Sequence, residues 1–114
     1  MKAIRVNQWG GSDAAEIEDV ERPQPGPGEV LVRVKAAAVN PVDWKIREGY
    51  LKDWISLPFF LGSDFAGDIE AVGEGVIGLE PGMPVYGMKG LRGGAFAEYT
   101  TALPSEFARK PFMP

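Results

Sequence analysis

The stretch that decides the fold is Glu29-Val-Leu-Val-Arg-Val-Lys-Ala-Ala-Ala-Val-Asn-Pro-Val-Asp43. Residues 29–39 alternate as a strand does: Val30, Val32, Val34 and Ala36 share one face, while Arg33 and Lys35 take the other. At Asn40 the period breaks. Asn40 fits a helix N-cap, Pro41 suits the first helical turn, and Asp43 places a carboxylate at the third position, near the helix's positive end. Gly49, after Arg47-Glu48, reads as the stop. A long strand running into a short helix is therefore the centre of the chain.

Upstream, residues 2–7 alternate Ile4 and Val6 with polar neighbours and read as a first strand, with residues 15–20 as a second. Arg22-Pro-Gln-Pro-Gly-Pro-Gly28 is a rigid turn that cannot join a ladder. Downstream, residues 50–56 read as another short helical piece before Leu57-Pro58. Residues 64–72 alternate again, with Phe65, Gly67, Ile69 and Ala71 on one face, and residues 84–88 and 95–100 read as further strands. The 15 glycines and 10 prolines sit between short apolar runs, which is the punctuation of a β domain rich in turns. The expected class is mainly β with short helices, and 114 residues suffice for one domain.

Composition excludes whole chemistries. With no Cys and no His, Cys/His zinc sites, thiolate nucleophiles and imidazole acid–base catalysis are ruled out. No disulfide can form, which points to a reducing, cytoplasmic setting. Lys and Arg number 12 against 16 Asp and Glu, and the net charge of −4 argues against a nucleic-acid partner. The N-terminal residues lack the apolar run of a secretory signal. The longest apolar stretch, residues 54–61, is short and broken by Ser56 and Pro58, so no membrane partner is expected.

Two patterns resemble sites and read better as structure. Gly73-Glu-Gly-Val-Ile-Gly78 matches the dinucleotide fingerprint, which works only where glycines end a strand and open a helix. Leu79-Glu-Pro-Gly82 follows it, and that proline and glycine break such a helix. A turn with glycines at positive φ is expected instead. Asp64, Asp68 and Glu70 share one strand face. Asp64 and Asp68 would lie roughly 13 Å apart, too far for a glycosidase pair, so a solvated face is expected. Ser12, Ser56, Ser63 and Ser105 have no histidine to activate them.

Several segments together resemble the N-terminal catalytic domain of the medium-chain dehydrogenase/reductase family, most closely its zinc-free quinone oxidoreductase branch. They are Met1-Lys-Ala-Ile4, Pro23-Gln-Pro-Gly-Pro-Gly-Glu-Val-Leu-Val-Arg-Val34 and Ala38-Val-Asn-Pro-Val-Asp-Trp-Lys-Ile-Arg-Glu-Gly49. Leu61-Gly-Ser-Asp-Phe-Ala-Gly-Asp-Ile-Glu-Ala-Val-Gly73, Leu79-Glu-Pro-Gly-Met-Pro-Val-Tyr-Gly87 and Gly94-Ala-Phe-Ala-Glu-Tyr99 continue the series. Each is modest alone, but their order and spacing are specific. The resemblance implies a GroES-like fold, a partly open β-barrel.

It also implies that no zinc is bound. Zinc-dependent members carry a Cys ligand where Asn40 stands, just ahead of an Asp that matches Asp43. Their His ligand, in Gly-His-Glu, falls on Ser63 in Gly62-Ser-Asp64. Asn and Ser do not make a competent zinc site that needs three protein donors. Met88-Lys-Gly-Leu-Arg-Gly-Gly94 runs directly onward, without the four cysteines of the structural-zinc lobe.

Without zinc, the family mechanism is hydride transfer from NADPH to a quinone or an α,β-unsaturated carbonyl compound. By resemblance, Asn40 lines the nicotinamide side of the cleft and Trp44 and Tyr50 the substrate side. Ser63 and Asp64 occupy the old metal pocket, and Tyr50 donates a hydrogen bond or a proton to the reacting carbonyl. Simpler readings stand beside these. Asn40 can serve as an N-cap alone, Asp43 as a helix-end carboxylate, and Trp44, Trp54, Phe59 and Phe60 as core or interface. Gly62, Gly67 and Gly73 read as close-packing or turn positions.

The resemblance further implies a Rossmann domain after Lys110-Pro-Phe-Met-Pro114. The expectation is therefore an N-terminal piece of an oxidoreductase, inactive alone and prone to self-association as a homo-oligomer through open edges. The alternative is a non-catalytic barrel module for binding or self-assembly.

Overall fold

The computed structural model of the chain describes residues 1–109, with eight strands and one α-helix among them. Strands β1 (Lys2–Val6) and β2 (Ala15–Asp19) form an antiparallel hairpin, and the two-residue β4 (Phe59–Phe60) pairs with the other side of β1. The second sheet holds five antiparallel strands in the order β7 (Tyr99–Ala102), β3 (Val30–Ala38), β5 (Asp64–Val72), β6 (Pro84–Met88) and β8 (Phe107–Arg109). Neither sheet closes on itself. A bridge between Ala3 and Ala97 joins them, supported by the Ile4 N–H donating to the Phe96 carbonyl at 2.9 Å. The class is mainly β as expected, and the open sheets are the partly open barrel that the resemblance implies.

Each sheet has its own core. Val30, Val32, Phe65, Ile69, Val85, Ala95 and Ala102 fill the five-stranded side. Val6, Ile46, Ile55, Phe59 and Leu61 gather where the helix α1 (Pro41–Glu48) covers the smaller sheet. No helix among the described residues is long and apolar enough to cross a membrane.

The central strand departs from simple alternation. Register shifts between Leu31 and Val32 and between Val34 and Ala36 interrupt the β3–β5 ladder. Bulges add a residue to one side and reset which side chains point inward. Leu31 is thus buried beside Val30 and Val32, and Ala36, expected on the core face, is exposed. Residues 50–56 are turns, not a helix: only Ile55 donates to a carbonyl four residues back, that of Leu51 at 3.1 Å. The strand expected at residues 95–100 lies at Tyr99–Ala102, because residues 96–98 bond to β1 and β3 as an irregular crossing. Trp54, expected in a core or interface, is 72% exposed, while Phe59 is buried as expected.

Three glycines allow these elements to approach. A Cβ at Gly67 would lie 2.1 Å from the Arg33 carbonyl oxygen, one at Gly73 2.1 Å from that of Gly26, and one at Gly62 2.4 Å from the Phe96 nitrogen. Residues 73–78 form the expected turn after β5, with φ of 84° at Gly75 and 82° at Gly78.

Candidate functional site

The site grows from the junction of β3, α1 and β5. Ala38, the last residue of β3, pairs with Asp64, the first of β5. Two residues past Ala38, Asn40 takes an extended N-cap conformation (φ −121°, ψ 157°) and Pro41 opens the helix. Strand register therefore delivers Asn40 beside Asp64. The Asn40 side-chain amide donates to Asp64 Oδ2 at 2.9 Å, and its backbone N–H donates to Asp43 Oδ2 at 2.8 Å. Asn40 is at once the N-cap residue of the helix and its link to the sheet.

The electrostatics of this knot are unusual for a surface helix end. Asp43 is 4% exposed, and its Oδ1 and that of Asp64 are both buried without a hydrogen-bond partner among the described residues. Burial raises the Asp43 pKa above its ordinary value; the Asn40 N–H opposes this, and the nearby Asp64 charge adds to it. Asp68 and Glu70 behave as the solvated face expected, pairing with Lys35 at 2.8 Å and Arg22 at 3.5 Å. Asp64 does not. It turns inward to Asn40, a pairing across elements that strand spacing alone did not contain.

At the other end of α1, Gly49 adopts φ 92°, its N–H bonds the Ile46 carbonyl, and the Tyr50 N–H bonds that of Lys45, both at 3.0 Å. That stop sets Tyr50 against Trp44, ring centroids 5.7 Å apart at 86°. The two are 66% and 40% exposed, and no partner among the described residues meets the Tyr50 hydroxyl. The Asn40–Asp64 pair thus lies at the start of the helix, while the aromatic pair joins its first half to the residue after its stop.

Ser63 stands apart from both. It is 5% exposed, its Oγ accepts the Gly90 N–H at 2.9 Å, and its carbonyl accepts the Lys89 N–H at 2.9 Å. It fixes the loop after β6. No group of three or more His, Cys, Asp or Glu side chains that could hold a metal gathers among the described residues. The glycine run at 73–78 opens no helix, so it offers no pyrophosphate cradle. Asn40 thus carries a neutral amide at the start of α1, and Tyr50 an exposed phenol just past its stop.

Two open antiparallel sheets with a capped helix at their junction define the class: a barrel domain that presents one helix and its two ends. The family model of the alcohol dehydrogenase GroES-like domain matches residues 26–111, and the chain belongs to that family. It is similar to a quinone oxidoreductase of Lama guanicoe, 43% identical over 103 residues, which covers 90% of this chain and 31% of that protein. The human quinone oxidoreductase is 39% identical over 103 residues, again 90% of this chain and 31% of that protein. Among solved structures, the quinone oxidoreductase from Coxiella burnetii matches 97% of this chain and 37% of its own, at 32% identity and a TM-score of 0.87. The Escherichia coli quinone oxidoreductase complexed with NADPH matches 97% and 33%, at 28% identity and a TM-score of 0.89. The chain therefore spans about a third of the length of these relatives.

Proposed function

We propose that the chain is the N-terminal catalytic domain of an NADPH-dependent, zinc-independent oxidoreductase that reduces quinones or α,β-unsaturated carbonyl compounds. The observation that carries this reading is the likeness to quinone oxidoreductases over 90% of the chain. The donor set at Asn40 and Ser63 supports zinc independence. The Asn40 amide nitrogen already donates to Asp64, and Ser63 Oγ already accepts from Gly90. Neither is a zinc donor of the usual kind.

NADPH supplies a hydride to the acceptor, and a nucleotide-binding domain outside these residues holds its phosphates. Asn40, pinned by Asp64, offers a neutral polar wall on the nicotinamide side. Trp44 packs edge-on against Tyr50 and fixes the ring's direction. The Tyr50 hydroxyl donates to the acceptor's carbonyl oxygen as negative charge builds there. Asp64 holds Asn40, and Ser63 holds the adjoining loop. On this reading the 114 residues alone turn over little or nothing, work in the cytoplasm and self-associate through the β7 and β8 edges.

The test is quinone-dependent NADPH oxidation by the complete gene product, purified from its host after its intact mass is measured. A mass larger by ~150 residues or more is expected. Activity without added metal, zinc well below one equivalent, and a fall of at least about tenfold in kcat for Tyr50→Phe are the expected results. A complete product that oxidises no NADPH with quinones or enones, or that holds stoichiometric zinc, overturns the reading. It would leave a non-catalytic barrel for binding or self-assembly.

A further inference from the structure

Lys89 is a buried amine at the edge of a cavity. It is 7% exposed, in the loop directly after β6, and its Nζ donates to Thr100 Oγ1 at 2.8 Å. An ammonium carries three donors, and burying it with one partner favours the neutral amine. Burial, and secondarily the Arg92 charge, lower its pKa to about 8, with Glu106 and Glu29 opposing. At pH 7 about a tenth of Lys89 is then free base, against less than one in ~1,000 for an ordinary lysine.

The space beside it suits a small ligand. A cavity of about 260 Å³ is lined by Phe60, Lys89, Arg92, Gly93, Gly94 and Thr100, among others. That lies below the ~300–1,000 Å³ of sites for drug-sized molecules. Gly94 keeps the amine accessible from this side: a Cβ there would lie 3.3 Å from Nζ and 3.4 Å from Thr100 Oγ1. The other charged groups at the cavity are Arg92, Glu21 and the Met1 amino group, which donates to the Val20 carbonyl at 2.7 Å. Arg92 in turn holds Glu106 at 2.5 Å and Glu29 at 3.3 Å. Cations outnumber anions on the lining itself.

We propose that Lys89 is an imine-forming site for a small anionic aldehyde, received in the cavity beside Arg92. The Nζ lone pair attacks the carbonyl carbon and a C–N bond forms. The two Nζ protons and the carbonyl oxygen depart as water, so no electron is gained or lost. The Thr100 hydroxyl, 2.8 Å from Nζ, is placed to pass a proton to the departing oxygen. The Arg92 guanidinium, whose Nη1 and Nη2 already donate to Glu106 and Glu29, keeps further N–H donors for the ligand's carboxylate or phosphate. The site is independent of the proposed reduction.

The experiment incubates the chain with glyoxylate and cyanoborohydride at pH 7 and measures the modification rate at each lysine by peptide mass spectrometry. Lys89 is expected to react at least about tenfold faster than the exposed Lys2, Lys35, Lys45 and Lys52. Glyoxylate is expected to outpace the neutral propanal at Lys89 by about threefold or more, and Arg92→Met to erase that preference. A Lys89 rate no greater than that of Lys35 overturns the site. Equal rates with the two aldehydes in the unsubstituted chain overturn the anionic class, whether or not the Arg92 variant folds.

Discussion

Asn40 and Asp64, 24 residues apart, are joined by a 2.9 Å hydrogen bond from the Asn40 amide to Asp64 Oδ2. This bond ties the start of α1 to the start of β5 while the Asn40 backbone holds Asp43. A single neutral residue thus donates to two carboxylates, to Asp64 through its side chain and to Asp43 through its backbone.

Replacing it should be costly. Asn40→Ala removes a favourable N-cap residue and strips the donor from Asp64, whose other oxygen is already buried without a partner. A loss of about 1–3 kcal/mol is expected, read as a lower urea midpoint at pH 7. An unchanged midpoint refutes the linking role.

Asp43 predicts a pH dependence. Its folded pKa is raised, so the protonated form is the one the fold prefers. The stability it lends is complete below the unfolded pKa and is lost as pH rises through the folded one. Asp43→Asn keeps an acceptor for the Asn40 N–H and has no proton to lose. The advantage of Asp43→Asn over the unsubstituted chain in urea midpoint should therefore widen from pH 4 to pH 7. A constant difference refutes the shift.

Gly67 predicts a backbone clash. A Cβ there would sit 2.1 Å from the Arg33 carbonyl oxygen, inside the β3–β5 ladder. Neither partner is a flexible side-chain tip, so Gly67→Ala should destabilise by about 3 kcal/mol or more. Thermal unfolding followed by circular dichroism checks this, and a melting temperature within a degree or two of the parent's, on the ~4–8 °C per kcal/mol scale of small domains, refutes it.

Much of the architecture was legible because the deciding signals are local. Asn40, Pro41, Asp43 and Gly49 announce a capped helix by residue type, and alternation around Ile69 marks a central strand. What was not legible depends on partners distant in the chain. Phe59–Phe60 and Phe107–Arg109 are too short to show a period and become strands only because β1 and β6 offer free edges. Ala36 was misassigned because a bulge is invisible to a strict two-residue repeat. In the site, the motif match brought Asn40 and Asp64 forward together, but their contact is a product of sheet register. The resemblance puts Ser63 in the old metal pocket; that its hydroxyl also accepts the Gly90 N–H, 27 residues on, is a contact residue type does not announce. Lys89 was missed entirely: a lysine between Met88 and Gly90 carries no burial signal until β6 turns back towards Thr100.

The division into two cores means that the domain need not loosen as a whole. The smaller core draws on residues 6–61 and leans on a single helix, whereas the larger one is knitted by five strands. The helix with Trp44 and the following Tyr50 packs on that smaller core, so native-state hydrogen exchange should find it opening at lower free energy than the β3–β5 ladder. Trp44 and Tyr50 would then shift together while Asn40, bonded to Asp64 at the first residue of β5, holds its place.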